Sequence, residues 1–159
     1  MLPILGLLAG CELRPLYGGP AGSELAEKLA AIEVEVPHSR AGLALAEALR
    51  REFGASGLAT EPRYLLKVQL ERQRKALLVQ LDDSITRYEL LLTAKYDLVD
   101  RVADRVLLRS VIRQASSFNV VRQPFADFMA ERDAEARATA ELARALRTRL
   151  ALFLAGHPS

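Results

Sequence analysis

Between Tyr64 and Phe118, apolar residues recur at every second position in three stretches. A chain with that period buries its side chains only as strands that turn one face to a core. In the first, Tyr64, Leu66, Val68 and Leu70 alternate with Lys67, Gln69 and Glu71. In the second, Tyr88, Leu90, Leu92, Ala94, Tyr96 and Leu98 oppose Arg87, Glu89, Lys95 and Asp97. The third, around Val106 to Phe118, alternates less cleanly. "DRVADR" at 100–105 predicts a hairpin turn, and a longer segment near Asp82-Asp83-Ser84 joins the first two strands, so an antiparallel meander is expected. Upstream, Ile32, Val34 and Val36 alternate with Glu33 and Glu35 until Pro37 ends the strand. Ser39 can cap a following helix in which Leu45, Leu49 and Phe53 recur in steps of four up to Gly54.

The chain closes on a helical pattern from Pro124 to about Ala155, roughly 48 Å long at 1.5 Å per residue. Met129, Ala136, Ala140, Ala143, Leu146, Leu150 and Phe153 form its expected buried stripe. Glu131, Asp133 and Glu135 precede Arg144, Arg147 and Arg149, the order the helix dipole favours, and this charged face reads as solvated surface. Together these segments predict an α+β two-layer sandwich: an about four-stranded, mostly antiparallel sheet with two helices packed on one face. Residues 29–156 hold this single domain, and "ELRPLYGGPAGSE", rich in Pro and Gly, makes residues 11–28 mostly tether.

Composition excludes more than it names. Half of the 159 residues are hydrophobic and the formal net charge is +2, which fits a globular chain and points to no nucleic-acid partner. With one cysteine and two histidines, His38 and His157, neither an internal disulfide nor a thiolate metal site is expected, and no cofactor is implied. The opening apolar run, Met1 to Gly10, stops at ten residues, too short to span a bilayer but matching the apolar region of a secretory signal. No Lys or Arg precedes it, so the natural start is expected upstream.

That run ends at Leu8-Ala9-Gly10-Cys11, which resembles the lipobox of bacterial lipoproteins, where the cysteine is lipidated on sulfur and becomes the new N-terminus. Cys11 is therefore the expected attachment point of a covalent lipid, each buried methylene adding about 0.8 kcal/mol to membrane binding. A buried core cysteine is the alternative.

Motifs of catalysis are missing: there is no phosphate loop, no G-x-S-x-G, no H-E-x-x-H and no paired cysteine. Asp82-Asp83 reads as a turn, and His38 has no evident acid or nucleophile beside it. Charge placement says more. Residues 63–113 carry 11 Lys/Arg against 7 Asp/Glu, and the rest of the chain 11 against 13. Arg72, Arg74 and Lys75 fall at one strand end, while Arg105, Arg109 and Arg113, four apart, would share one strand face. Either these residues make a site for phosphates, which arginine suits, or the sheet has an ordinary solvated face.

The order Cys11, "RPLYG", "IEVEVPHSRAGLALAEALRREF", a strand opening at Tyr64, "TRYELLLTAKYDLVD", "SSFNVV" and "PFADFMAERDAEARATAELARALRTRL" resembles the LPS-assembly lipoproteins of Gram-negative outer membranes, the LptE type. The resemblance implies an outer-membrane lipoprotein, not an enzyme, lipid-anchored on the periplasmic side. It would bind and plug the LPS-translocon β-barrel, aid its assembly, and help insert lipopolysaccharide into the outer leaflet. A lipoprotein activator of a periplasmic cell-wall synthase, or an auxiliary lipoprotein of a phospholipid transport system, would also lack catalytic residues.

Overall fold

The computed structural model describes residues 20–54, 62–79, 86–121 and 123–156. Its elements run α1 (Pro20–Ala30), β1 (Ile32–Glu35), α2 (Arg40–Phe53), β2 (Tyr64–Val79), β3 (Thr86–Asp100), β4 (Arg105–Val120) and α3 (Pro124–Ala155). The sheet order is β1-β2-β3-β4. The β1 strand lies parallel to β2, reached through the α2 crossover, and β2, β3 and β4 form the antiparallel meander. The α+β sandwich read from the sequence is the fold.

Local chemistry sets the element ends. Ser39, in extended backbone, caps α2 by accepting from the Gly42 N–H at 3.1 Å, and Gly54 closes the helix in the left-handed region at φ 68°. Gly42 is required for a different reason, because a Cβ there would stand 2.1 Å from the Pro37 carbonyl oxygen. The β3–β4 turn is held by Asp100, whose Oδ1 accepts from the Val102 N–H (2.9 Å) and the Ala103 N–H (3.1 Å). Asp104 completes the turn at φ 45°, a conformation aspartate tolerates better than most residues.

The even-numbered residues of β2 and β3 face the helices. Leu66, Val68, Leu92, Ala94, Tyr96 and Leu98 meet Leu45 and Leu49 of α2 and Leu142, Leu146 and Leu150 of α3 in one core. A smaller cluster, Leu90, Phe118 and Ala134, packs with Tyr88 and Val120 where the strands extend past α2.

Two expectations are corrected. Residues 20–28, expected as tether, fold with 29 and 30 into α1, because Leu25 and Leu29 are one turn apart and bury into the core; three helices, not two, are therefore described. The first half of the α3 stripe is also rotated, whereas Ala143, Leu146 and Leu150 are buried as expected. Glu135, Thr139, Ala143, Leu146, Leu150 and Leu154 are buried, with Ala134, Ala138, Leu142 and Ala151 beside them. Ala136, Ala140 and Met129 are exposed. Alanines occur on several sides of this helix, so the spacing of small residues could not fix its facing.

Candidate functional site

The strand parity that builds the core also distributes the six predicted cations. Arg72 and Arg74 continue the inward row of Leu66 and Val68 to the place where the first turn of α2 and the first half of α3 meet the sheet. Arg72 bonds through Nε to Oε2 of Glu135 at 3.0 Å and through Nη2 to Glu131. Arg74 donates to Oε2 of Glu131 at 3.1 Å and lies over two neighbouring rings, 3.9 Å from the Tyr88 centroid and 5.4 Å from that of Phe118. Arg40 from the first turn of α2 takes the other oxygen of Glu135 at 3.0 Å. Three elements are thus tied through one carboxylate whose side chain is only 10% exposed. Around this network opens a cleft of about 560 Å³ lined by Ser39, Leu70, Phe128, Arg132 and the Arg72–Glu131–Glu135 group.

Lys75, next along β2, points to the opposite face. There, Arg109 holds Asp97 with two parallel bonds, Nε to Oδ1 at 2.8 Å and Nη2 to Oδ2 at 2.7 Å. Arg113 stands opposite Thr93 on the same face. Arg105 opens β4 opposite Asp100, before an irregularity in the register, and roughly 27 Å along the strand from Arg113. The six residues therefore occupy separate places: Arg72 and Arg74 under α3, Lys75, Arg109 and Arg113 on the open face, and Arg105 at the hairpin. Glu71 pairs with Lys95 and Glu33 with Arg101, so the open face carries both signs.

Electrostatics follows this pairing. The hydrogen bond from Arg109, and then its charge, hold the Asp97 carboxyl below the usual aspartate range against the opposing effect of burial. Asp100 is lowered chiefly by the Ala103 N–H, aided by the Val102 N–H and by Arg63 and Arg105.

What the sequence reading missed is the acid side of the network. Glu131 and Glu135, four apart on α3, read as solvated helix surface; the same spacing puts both on one helix face, which was the available signal. Arg40 was missed as well. Cys11, His157 and Asp82-Asp83 lie outside the described residues. His38 is exposed before α2, and among the described residues no group of three His, Cys, Asp or Glu is placed to hold a metal. No described helix is long and apolar enough to cross a membrane.

The sequence pattern of the LptE family, described as lipopolysaccharide-assembly, matches residues 29–150, from the end of α1 through all four strands to the last turns of α3. The chain belongs to the LptE family. Its fold is shared with solved lipoprotein structures. One from Caulobacter crescentus CB15 superposes with a TM-score of 0.73 at 24% identity, covering 85% of this chain and 98% of that one. A minor lipoprotein from Acinetobacter baumannii gives 0.59 at 19% identity, covering 76% and 91%. The rare lipoprotein B from Shewanella oneidensis gives 0.57 at 11%, covering 76% and 92%. No curated protein matches the sequence.

Proposed function

We propose that this LptE-family chain is an outer-membrane lipoprotein, anchored on the periplasmic side by lipid on Cys11. It binds and plugs the LPS-translocon β-barrel, aids its assembly, and assists insertion of lipopolysaccharide into the outer leaflet. The role is one of binding, not catalysis. The observation that carries the reading is the family match across residues 29–150, which takes in the whole sheet and most of α3. The name "lipoprotein" on the solved relatives supports the anchor at Cys11.

Among the six candidate cations, those already held by carboxylates have the least to offer a phosphate. Arg72, Arg74 and Arg109 are so held; Lys75, Arg105 and Arg113 are exposed, and they are the proposed contacts to lipopolysaccharide phosphates. The family assignment does not favour a cell-wall synthase activator or a phospholipid-transport auxiliary.

Pull-down from detergent-solubilised outer membranes is the test. Recovery of an outer-membrane β-barrel supports the reading, and recovery of a penicillin-binding synthase in its place overturns it. Mass spectrometry of the membrane-fraction protein should show a lipidated N-terminal Cys11; an intact N-terminus with a free thiol would remove the anchor from the proposal.

A further inference from the structure

Among the described residues, the β4 strand is the last in the sheet and is paired on one side only, over Arg105–Val120. Its other side presents the backbone N–H and C=O groups of alternate residues. Edge strands of this length are normally blunted by charged side chains, a proline, a bulge, an inward-pointing charge or a covering element, and β4 has the first of these in its arginines, which disfavour any strand that brings no acid to them. Here no proline occurs between 105 and 120, and the register irregularity lies at the strand's beginning. The residues on the helix side, Leu108, Ser110, Ile112, Gln114 and Ser116, are uncharged. α3 packs on the helix-facing side of the strand, and its Arg137 donates to the Ser116 hydroxyl and the Ser117 carbonyl at 3.3 Å, so the uninterrupted edge runs from Leu108, past the irregularity, to Ala115.

Charge selects what can pair with it. The strand has three arginines and no Asp or Glu. A second copy laid antiparallel along β4 would bring Arg109 and Arg113 against arginine or against Val111, Ala115 and other uncharged residues, with no acid to meet them. The other open edge, β2 beyond Lys67, carries Glu71 among its cations and lacks this single-sign row.

We propose that β4 is a strand-addition site for an extended segment of a protein partner. That segment carries an acidic residue that faces Arg113, since Arg109 is already held by Asp97, with small or apolar residues beside Val111 and Ala115. Main-chain pairing supplies the affinity and Arg113 supplies register and selectivity. That the segment belongs to a β-barrel rests on the function proposed above; the strand addition does not.

The test uses the full-length lipoprotein in its native membrane. A photo-crosslinking residue is placed at Val111 or Ala115, both exposed on β4, and for comparison at Leu43, exposed on α2. The purified complex is then followed by amide hydrogen exchange. Expected are crosslinks from β4, not from Leu43, to an acid-bearing segment, and at least tenfold slower exchange of edge-facing amides within 108–115 on complex formation. Arg113→Glu should lower recovery of the complex at least tenfold, and Arg113→Lys should restore most of it. Crosslinks only to another copy of this chain, crosslinks only from Leu43, no crosslinks, or β4 crosslinks without amide protection would each overturn the proposal. Protection together with crosslinks to an acidic segment of a protein that is not a β-barrel would uphold strand addition and overturn the barrel reading.

Discussion

At the scale of single residues, three carboxylates do work that charge counting assigns to the arginines. Glu135 is buried between Arg40 and Arg72, so Glu135→Ala takes the acceptor from Arg40, leaves Arg72 with Glu131 alone, and should cost about 2–3 kcal/mol in denaturant unfolding. Glu135→Gln should fall between the two; indifference to both substitutions would show that the network contributes nothing. Asp97 and Asp100 act through pH. Their folded-state values lie below the ordinary aspartate value of 3.8, so each adds stability that is fully present above that value and is lost as pH falls through the lower, folded one. Thermal unfolding from pH 7 to pH 2 should therefore show a midpoint that changes little down to about pH 4.5 and drops below about pH 4. Asp97→Asn should flatten that drop, and Asp100→Ala should flatten it further while also loosening the hairpin. An acid limb identical in wild type and both variants would contradict the assignment.

At the scale of elements, the sheet was legible because its signal is redundant: Leu90 to Leu98 repeats one period over five inward positions, and pairing then extends each strand to Val79, Asp100 and Val120 beyond the alternating stretch. The α2 helix was legible from its cap and its leucines. Two things were not. Near the N-terminus, proline and glycine outweighed the two leucines of α1, whose burial depends on a core formed by distant segments. Along α3, alanines fit several facings equally, and only the leucines at 142, 146, 150 and 154 mark the one adopted. The six cations were chosen by sequence proximity, but parity sends Arg74 and Lys75 to opposite faces and an irregularity separates Arg105 from its row. The corrected facing makes a sharp prediction. Ala138→Glu or Ala143→Glu, at fully buried positions, should cost several kcal/mol, whereas Ala136→Glu and Ala140→Glu should stay within about 0.5 kcal/mol. Chemical denaturation of the four variants decides between the two stripes, and equal tolerance throughout would refute both. Gly42→Ala should also lower the melting temperature, since its new methyl collides with the Pro37 carbonyl unless α2 shifts.

For the whole molecule, the division of positive charge between a committed set and an open set has consequences for the proposed contact with an anionic glycolipid. Arg72 and Arg74 hold α3 to the sheet; changing both to Glu sets them against Glu131 and Glu135 and should unfold that end of the molecule, lowering the melting temperature together with any binding. Lys75, Arg105 and Arg113 are exposed, so changing them to Glu should leave the melting temperature within a few degrees of wild type. If they meet phosphate, that triple variant loses affinity for lipopolysaccharide at least tenfold while remaining folded. Contacts of this exposed kind are screened over about 8–10 Å at 0.1–0.15 M salt, so wild-type binding should weaken steadily between low salt and 0.5 M, and the triple variant should show a shallower salt dependence. Arg144→Glu with Arg147→Glu, on the second half of α3, serves as the comparison of equal charge change per site. Titration of purified lipopolysaccharide against the purified full chain and these variants separates the cases. Loss of binding in the α3 variant, with the triple variant unaffected, would move the phosphate contact from the sheet to the helix.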